Sequence, residues 1–477
     1  MEIITKEPDI ARIDKILSAQ RLKSVRLRSE PVGNRKKRLK KLHDWIFTNR
    51  QKIQQAVHRD FQKPLSEVDT SEIYPVVAEI RHALANLKGW SKSKKIDAPL
   101  TYLGTRSEVR FEPKGVCLIL APWNFPFNLC LGPLVSCLAA GNTAIVKPSE
   151  LTPNTSKLVS EMVAEIFEAD TVAVIEGGVE ISTYLLSLRF DHIFFTGSPS
   201  IGKVVMKAAA SNLTSVTLEL GGKSPTVVDA TANLADAAKR IAFGKFLNNG
   251  QTCIAPDYVL VEEKIKDKFS IALRESVLKL YGEQNSITET SKSYARIVNQ
   301  RHFNRISQLI KDALQKGAKS EMQGEENERT CFIHPVILSN VPKDSLIMQE
   351  EIFGPVLPLL TFSSTDDVIQ MINSKPKPLA LYIFSNSRKF RENILLQTSA
   401  GSVVINDCVL QFTHPNLPFG GVNNSGIGKS HGHYGFMAFS NEKPVLRQKS
   451  GFSSLYLLYP PYTDSMKKIV NILLRWF

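Results

Sequence analysis

A single thiol stands where the sequence suggests that it can react. Cys253 ends the run Gly250-Gln251-Thr252-Cys253 and is soon followed by Pro256. The residues before it, 234–249, have a helical pattern, which predicts that the thiol lies on an exposed turn leaving a helix. Because access and thiolate character determine the nucleophilicity of a cysteine, we identify Cys253 as a candidate nucleophile. Cysteine is more often a small buried apolar residue, so this identification depends on residues elsewhere.

Two polar residues near the ends of apolar strands could assist such a nucleophile. Glu219 lies in Leu218-Glu219-Leu220-Gly221-Gly222-Lys223, and burial at a strand end would raise the pKa of its carboxyl toward that of a general base. Asn124 lies in Pro122-Trp123-Asn124-Phe125-Pro126, where its amide could donate a hydrogen bond to an oxyanion. Each also has an ordinary explanation, a salt bridge to Lys223 for the glutamate and a turn for the asparagine.

Two further motifs could bind a nucleotide. The run from Phe195 to Gly202, F-T-G-S-P-S-I-G, closes a predicted strand and opens a helix, whose N-terminus favours an anion. It is not the G-x-G-x-x-G fingerprint, so a plain turn stays an alternative. Lys147-Pro148-Ser149-Glu150 follows another buried strand, at the edge where open α/β sheets bind ligands. Its lysine and glutamate could therefore hydrogen-bond ribose hydroxyls.

The elements that must position these motifs are predicted by the pattern of apolar residues. Residues 1–95 have helical spacing, whereas after residue 113 short apolar runs alternate with helical stretches. This alternation is typical of βαβ units and predicts an α/β fold with two doubly wound lobes. The predicted strands are 115–120, 143–146, 171–175, 192–195, 215–220 and 258–261, with two more near Val336 and Leu357.

Composition places the chain among ordinary globular proteins. It has 477 residues, of which 43% are hydrophobic and 22% charged. Its net charge of +14 suggests attraction to polyanions or anionic lipid. A basic cluster near the N-terminus is interleaved with apolar residues at helical spacing, which favours the solvated face of an amphipathic helix over nucleic-acid binding. The cluster consists of Arg35, Lys36, Lys37, Arg38, Lys40 and Lys41.

Several other classes of protein are disfavoured. The six cysteines form no C-x-x-C pair, and residues 1–18 lack the apolar core of a secretory signal, so we expect a reducing, cytoplasmic location. The uncharged stretch between Lys114 and Lys147 contains three prolines and several asparagines, which favours a buried strand and helix over a membrane span. His431-Gly432-His433 has no third ligand nearby in the sequence, so we expect a turn and no metal site.

Together these motifs resemble those of the NAD(P)-dependent aldehyde dehydrogenase superfamily, over almost the whole chain. The resemblance rests on P-W-N-F-P, K-P-S-E, F-T-G-S, L-E-L-G-G-K, G-Q-T-C, E-E-I-F-G-P and P-F-G-G. The run from Gly250 to Tyr258, the short N-terminus and the continuation through Tyr459-Pro460-Pro461-Tyr462 are similar to the class 3 and fatty aldehyde dehydrogenase branch. The resemblance implies the aldehyde dehydrogenase fold, a cofactor that is NAD or NADP, and a homodimer.

The resemblance also implies a role for each motif. Cys253 would attack the aldehyde to give a thiohemiacetal, whose oxyanion is held by the Asn124 side chain and the Cys253 N–H. Glu219 would activate the water that hydrolyses the later thioester, and its presence favours hydrolysis over acyl transfer to coenzyme A. Phe125 and Tyr74 would line the substrate tunnel. The implied cofactor-binding residues are Trp123, Lys147, Glu150, Gly197, Ser198, Gly202, Glu351 and Phe353.

The predicted division of the chain follows from the same motifs. Residues 1–94 and 114–220 are the predicted dinucleotide-binding domain, and 221–439 the predicted catalytic domain. Residues 95–113 alternate around Gly104-Thr105, which predicts a β-hairpin with Tyr102 on one arm and Val109 on the other. With a partner strand near 440–450, this hairpin would bridge the two subunits of the dimer.

The predicted reaction is oxidation of an aldehyde to its carboxylic acid. The expected substrate is a medium or long aliphatic aldehyde, with an aromatic one as the second choice. Two alternatives stay open. One is a cofactor-independent thiol esterase that uses Cys253 and Glu219 alone, and the other is a non-catalytic binding or structural role of the same scaffold.

Residues 451–477 form a predicted amphipathic tail. Its last part is too short to span a bilayer. It could cap an apolar groove of its own protein, which we favour, or make weak peripheral contact with a membrane. The predicted apolar face consists of Met466, Ile469, Val470, Leu473 and Phe477, with Lys467, Lys468 and Arg475 beside it.

Overall fold

Parallel strands form the centre of both lobes of the protein. The computed structural model describes residues 10–283, 286–322 and 324–476. Its strands are β1 (Lys94–Ile96), β2 (Thr105–Pro113), β3 (Val116–Leu120), β4 (Thr143–Lys147), β5 (Val172–Val174), β6 (His192–Gly197), β7 (Ser215–Leu220), β8 (Pro225–Val228), β9 (Tyr258–Glu262), β10 (Lys319–Ser320), β11 (Glu326–Asn327), β12 (Phe332–Ile333), β13 (Val336–Ser339), β14 (Val356–Phe362), β15 (Ala380–Phe384), β16 (Ser402–Ile405), β17 (Gly426–Ile427) and β18 (Ser440–Gln448). The six strands predicted with bounds are found within two residues of each predicted end.

Helices cover the sheets and form the N-terminal region. They are α1 (Ile10–Leu27), α2 (Val32–Thr48), α3 (Arg50–Phe61), α4 (Leu65–Val68), α5 (Tyr74–Trp90), α6 (Asn128–Ala140), α7 (Pro153–Ile166), α8 (Val179–Ser187), α9 (Pro199–Ala210), α10 (Leu234–Phe246), α11 (Lys266–Tyr281), α12 (Gln300–Gln315), α13 (Leu346–Gln349), α14 (Thr365–Asn373), α15 (Arg388–Gln397), α16 (Gly432–Ala438) and α17 (Asp464–Trp476). A π-helical turn, Asp69–Ile73, joins α4 to α5. Among the described residues, no helix is both long and apolar enough to cross a membrane.

The first lobe contains a six-stranded sheet in the order β17-β7-β6-β3-β4-β5. Its strands are parallel except β17, which runs antiparallel to β7. Every residue of β3 and β4 is buried, as expected where helices cover both faces of a parallel sheet. The strand order reverses between β3 and β6, because the chain continues from β3 to β4 on one side and β6 lies on the other. Ligands of such sheets bind outside the carboxyl ends of the strands at this reversal.

The second lobe contains a seven-stranded sheet in the order β10-β13-β14-β9-β8-β15-β16. The chain passes from the first sheet to the second between β7 and β8, at residues 221–224. It returns before the predicted end of the catalytic domain at 439, because β17 pairs with β7 and α16 packs against α5 and α6. The assignment of separate roles to the two lobes stays a prediction.

A three-stranded antiparallel sheet, β1-β2-β18, contains the residues expected to form the hairpin. The predicted arm with Tyr102 is wrong, because this residue closes a 3₁₀ turn in which its N–H donates to Pro99 O at 2.8 Å. The strand that pairs with β2 on this side is β1, in which Lys94 lies opposite Val109. On the other side β18 pairs with all of β2, at the position predicted for the partner strand.

The basic helix near the N-terminus is α2, and one of its residues was misplaced by the sequence pattern. Arg35 is buried, whereas Lys37 and Lys40 are exposed as expected. The Arg35 guanidinium lies against Gly141, at the end of α6, and donates to Ala139 O at 3.4 Å. The predicted solvated face of this helix is therefore wrong for Arg35, which packs on the first lobe.

The tail ends in the helix α17, which contacts the preceding 3₁₀ turn Ser454–Leu458. Its predicted apolar face is the half-buried face, since Met466, Ile469, Val470 and Leu473 are partly covered. Phe477, the fifth residue of that prediction, lies outside the described residues, as does the stretch 1–9. Leu474 and Trp476, which flank this face, are large apolar side chains and are exposed.

Candidate active site

A cavity of about 510 Å³ opens at the strand-order reversal of the first sheet. It is bordered by the loops after β3, β6 and β7, by the Cys253 turn, and by α12 with the segment after α13. Of the predicted site residues, Trp123, Asn124, Gly197, Ser198, Glu219, Cys253, Glu351 and Phe353 line it. The lining residues not predicted from the sequence are Pro122, Thr196, Pro199, Ser200, Leu220, Gly221, His302, Arg305, Glu350 and Leu379.

Cys253 is presented by a left-handed turn that directly follows α10. Asn248, Asn249 and Gly250 have φ values of 51°, 55° and 73°, a region that asparagine and glycine tolerate best. A Cβ atom at Gly250 would lie 2.2 Å from Gly354 O, so a larger residue does not fit there. The helix therefore ends earlier than 249, and three left-handed residues redirect the chain toward the cavity.

Side chains of the turn itself hold it in place. Asn249 Nδ2 donates to Ala295 O at 2.7 Å. Gln251 Nε2 donates to Asn248 O and to Arg296 O, both at 2.9 Å, while its Oε1 accepts from Val298 N at 3.0 Å. The side-chain amides of Asn249 and Gln251 thus bind the turn to the segment 295–298, and these contacts hold the backbone at Cys253 in place.

The Cys253 thiol is half-buried, so it is less exposed than the sequence predicted. Burial raises its pKa well above the ordinary value, and the carboxyls of Glu219 and Glu351 add to the shift by disfavouring a second negative charge. The shift favours the neutral thiol over the thiolate. Formation of the thiolate requires a proton acceptor near the sulfur.

Glu219 lies at the end of β7 and is buried. Its Oε1 accepts a hydrogen bond from Ser430 Oγ at 2.5 Å. Burial raises the pKa of its carboxyl, although Ser430, His431 and Lys429 act in the opposite direction. The alternative of a salt bridge to Lys223 is wrong, because that lysine pairs with Asp257 and donates to the carbonyls of Ile347 and Glu350.

Asn124 is buried in the loop after β3 and faces the Cys253 turn. Its side-chain Nδ2 donates to Gln251 O at 3.0 Å, two residues before the thiol. Its backbone oxygen accepts from Asn248 Nδ2 at 2.7 Å. The loop and the turn are therefore joined by two hydrogen bonds, one in each direction.

The run from Phe195 to Gly202 lies at the N-terminus of α9, as the sequence predicted. Ser198 caps this helix, since its Oγ accepts from Ile201 N at 3.4 Å. A Cβ at Gly197 would lie 2.5 Å from the Phe195 ring. Gly202 does not line the cavity. A Cβ atom at this position would lie 2.7 Å from Leu220, so a residue without a side chain lets α9 pack closely on β7.

Lys147 and Glu150 lie outside the wall of the large cavity. Lys147 is buried at the end of β4, and its Nζ lies 2.7 Å from Glu150 Oε2. Glu150 is half-exposed, and the ammonium of Lys147 helps to lower the pKa of its carboxyl despite partial burial. These two residues thus form a charged pair beside the loop that follows β4.

Aromatic rings and one carboxyl form the inner end of the cavity. The Trp123 ring centroid lies 5.2 Å from that of Phe353 and 4.9 Å from that of His302. Glu351 packs on Gly221, where a Cβ would lie 2.1 Å from its carboxyl oxygen. Burial raises the pKa of Glu351 to about 8, and Asp257 acts in the same direction.

Two much smaller cavities, each of about 20 Å³, lie on the other side of Glu219. They share walls formed by Asn128, Gly132, Phe412 and His431. The first of them is also bordered by Leu129, Pro133 and Glu219. Phe125 and Tyr74, expected in a substrate tunnel, line neither of them: Phe125 packs on the Lys63 ammonium and Tyr74 is exposed.

The two histidines weighed as metal ligands make other contacts. His431 Nδ1 lies 3.8 Å from Glu79 Oε2, and its ring packs on Phe412 at 4.7 Å between centroids. The His433 ring lies 5.9 Å from that of Trp90. Within the described part of the chain, no group of three or more His, Cys, Asp and Glu side chains is placed to hold a metal ion.

Comparison with known proteins defines the class to which this fold and site belong. The sequence matches the aldehyde dehydrogenase family over residues 5–445. It is 44% identical over 441 residues to 4,4'-diaponeurosporen-aldehyde dehydrogenase of Staphylococcus aureus, covering 92% of this chain and 95% of that one. It is 42% identical over 439 residues to aldehyde dehydrogenase family 3 member A2 of Mus musculus, covering 92% and 89%.

The fold is likewise shared with a solved structure. Staphylococcus aureus AldH in its substrate-bound state has a TM-score of 0.92 and 41% identity, covering 97% of this chain and 99% of that one. The chain therefore belongs to the aldehyde dehydrogenase family, and it is an enzyme that oxidises aldehydes. The predicted family and branch, the α/β fold and the enzyme class are confirmed, whereas the roles of individual site residues stay predictions.

Proposed function

We propose that this enzyme oxidises medium- or long-chain aliphatic aldehydes to carboxylic acids through a covalent intermediate on Cys253. The observation that supports this proposal is the convergence of Cys253, Glu219 and Asn124 on one cavity. A thiol, a carboxylate base and an amide donor are the protein groups needed for covalent capture and later hydrolysis. Aromatic aldehydes are the second class of substrate that we expect.

The site residues divide the chemistry into two stages. In the first, the Cys253 thiol gives up its proton to solvent, its sulfur attacks the aldehyde carbon, and the Asn124 amide with the Cys253 N–H stabilises the oxyanion of the thiohemiacetal. When bound, the nicotinamide supplies the acceptor for the hydride that leaves this carbon. In the second stage, Glu219 takes a proton from water, which then attacks the thioester on Cys253. Burial raises the pKa of Glu219 above that of an ordinary carboxyl, which makes it a stronger base for this step.

The hydride acceptor is NAD or NADP, the cofactors of the aldehyde dehydrogenase family. The large cavity fits such a dinucleotide in volume and in lining, with the N-terminus of α9 at one part and the aromatic rings of Trp123 and Phe353 at another. We propose that Ser198 and the α9 N-terminus bind the pyrophosphate, and that Glu351 and Phe353 hold the nicotinamide ribose and ring. Lys147 and Glu150 would bind the adenine ribose.

The proposed substrate class is supported by the small cavities beyond Glu219. Apolar side chains, including Leu129, Pro133 and Phe412, form much of the wall of the one that Glu219 borders, which suits an alkyl chain better than a charged substrate once these side chains move apart to admit it. The relative from Staphylococcus aureus is named for a carotenoid-type aldehyde, which is also lipophilic. A passage that begins at Glu219 would bring such a chain to the catalytic centre from the side opposite the cofactor.

We further propose a cytoplasmic homodimer that makes weak contact with membranes through its tail. The edge sheet β1-β2-β18 would bridge the subunits. Exposed Leu474 and Trp476 together with Lys467, Lys468 and Arg475 give α17 the apolar and basic surface that interfacial helices use.

The proposal is tested by measuring products in parallel with the cofactor. Incubation with decanal and NAD or NADP should yield reduced cofactor and decanoic acid in equal amounts, because each aldehyde gives up one hydride. Hydrolysis of an ester such as 4-nitrophenyl acetate without nucleotide, in the absence of any coupled aldehyde oxidation, would instead support the thiol esterase alternative.

A further inference from the structure

A buried ionic cluster lies directly behind the two segments that carry Asn124 and Cys253. Lys63 and Glu72 are fully buried, and Lys63 Nζ lies 2.8 Å from Glu72 Oε1. Glu67, one helical turn before Glu72, is close enough for its carboxyl to interact with both charges. Replacing a buried ion pair by apolar residues is often neutral or stabilising. Stability alone therefore does not account for this cluster.

The ion pair holds the loop after β3 at both of its ends. Lys63 Nζ donates to Asn124 O at 3.5 Å and lies 4.4 Å from the centroid of the Phe125 ring. Glu72 Oε2 accepts from Asn128 N at 3.0 Å, where α6 begins. A fixed pair of opposite charges thus anchors the backbone on either side of the Phe125–Phe127 stretch, and with it the base of the Asn124 side chain.

Glu67 makes the corresponding contact with the cysteine turn. Its Oε1 accepts from Asn248 N at 2.8 Å. Asn248 in turn donates through Nδ2 to Asn124 O at 2.7 Å and to Gln251 O at 3.2 Å. The segment 63–72 is therefore hydrogen-bonded both to the loop and to the turn, although none of its residues lines the large cavity.

We propose that Lys63, Glu67 and Glu72 are positioning residues that fix the Asn124 amide relative to the Cys253 turn. They set the geometry in which the thiohemiacetal oxyanion is bound, and they act through the backbone of the loop that carries Asn124 and through Asn248. This inference rests on the proposed role of Asn124 as oxyanion donor. It adds a requirement that the proposed function alone does not make, namely that loss of the cluster matters only while the Asn124 amide is present.

A double-mutant cycle tests this requirement. Asn124→Ala alone should lower kcat by about 100- to 1000-fold, the usual cost of one oxyanion donor. Lys63→Met alone should lower kcat by roughly tenfold with unchanged affinity for NAD, since a misplaced donor loses part of that stabilisation. In the Asn124→Ala background, Lys63→Met should cost less than about twofold, because residues that act through one another are not additive.

Controls separate positioning from folding. Arg38→Met breaks a partly buried ion pair, Arg38 Nη2 to Glu30 Oε1 at 2.5 Å, on the basic helix α2. It should lower the melting temperature without changing kcat. If Lys63→Met does not fold, Glu72→Leu and Glu67→Leu enter the same cycle, because each removes an oxygen that accepts a backbone N–H.

Each outcome has a defined meaning. An equal loss of kcat in both backgrounds, or no loss from any of the three variants, would overturn the positioning role. Full activity of Asn124→Ala would instead overturn the proposed function of Asn124, and the cluster would then have no donor to position. A loss confined to the background with an intact amide supports the inference.

Discussion

The two spaces that meet at Glu219 differ in size and in what forms their walls. The cofactor side is a cavity of about 510 Å³ bordered mainly by loops that follow parallel strands. The other side has two cavities of about 20 Å³ each, and a space of that size holds a single water molecule. Leu129, Pro133 and Phe412 narrow the one of these two cavities that Glu219 borders. Loops at strand ends and the side chains that they carry thus form the proposed cofactor side, whereas apolar side chains form much of the wall of the proposed substrate side.

This difference has a consequence for how the enzyme can change. A site built from strand ends and helix N-termini is set by the fold and resists single substitutions. A passage closed by a few apolar side chains changes its width when any one of them is replaced. We therefore expect variants on the proposed substrate side to alter which aldehyde is used, and variants on the proposed cofactor side to alter cofactor preference by a smaller factor.

The largest effect is expected from loss of the nucleophile. Cys253→Ala should lower kcat/KM by at least about 10⁴-fold for every aldehyde, because the covalent route requires the sulfur of this residue. Steady-state formation of reduced cofactor measures the loss, and quenching of tryptophan fluorescence by NADH checks that the cofactor still binds. Substantial remaining activity would exclude the covalent route.

The substrate side should respond to the removal of one ring. Phe412→Ala should raise the ratio of kcat/KM for long over short saturated aldehydes by about tenfold, since widening an apolar passage by a few carbons changes discrimination by that order. Leu410→Ala, in the same 3₁₀ turn but exposed, is the matched control. An equal change in both variants would show that the passage beside Phe412 does not receive the alkyl chain.

The cofactor side should respond more weakly, through charge. Glu150→Gln should raise the ratio of kcat/KM with NADP over that with NAD by roughly threefold, because a carboxylate repels a 2′-phosphate placed beside it. Glu161→Gln, which breaks an exposed pair with Lys157, serves as the control. If the two variants give the same ratio, Glu150 does not lie near the adenine ribose.

The smallest effect concerns stability behind the site. Burial raises the pKa of Glu67 from 4.5 to about 7, so the folded protein holds this proton more tightly than the unfolded chain. Its contribution to stability is fully present below pH 4.5 and is lost as the pH rises through 7. The melting temperature of the wild type relative to Glu67→Gln should therefore fall by about 2 °C between pH 5 and 8. A difference in melting temperature that stays constant across this pH range would contradict the raised pKa of Glu67.

Much of the frame of the site was predictable from local sequence. The strand before Asn124 is a continuous apolar run, the strands that end at Gly197 and before Gly221 are partly apolar, and parallel strands bring their carboxyl ends to one edge. That logic, with the family resemblance, located eight lining residues of the large cavity. The left-handed turn before Cys253 also had a local signal that went unused, since Asn248-Asn249-Gly250 is the residue combination that tolerates positive φ.

What local sequence did not reveal depends on contacts between distant segments. His302 and Arg305 reach the cavity from α12, and nothing in the helical pattern of that segment marks them out. Lys63 and Glu72 pair beneath a loop that begins about 60 positions later in the chain, and Arg35 is buried by the end of α6. Because these residues are charged, the sequence predicts that they are exposed, and only the packing of the lobe shows that they are buried.

The two-stage use of Glu219 is tested most directly by rapid mixing of Glu219→Gln with aldehyde and cofactor. The account predicts a burst of about one reduced cofactor per active site, followed by turnover slowed by about 100- to 10,000-fold, because the thioester forms but is not hydrolysed. A variant that binds cofactor normally yet shows no burst would contradict it. Glu219 would then act before the hydride leaves the substrate carbon.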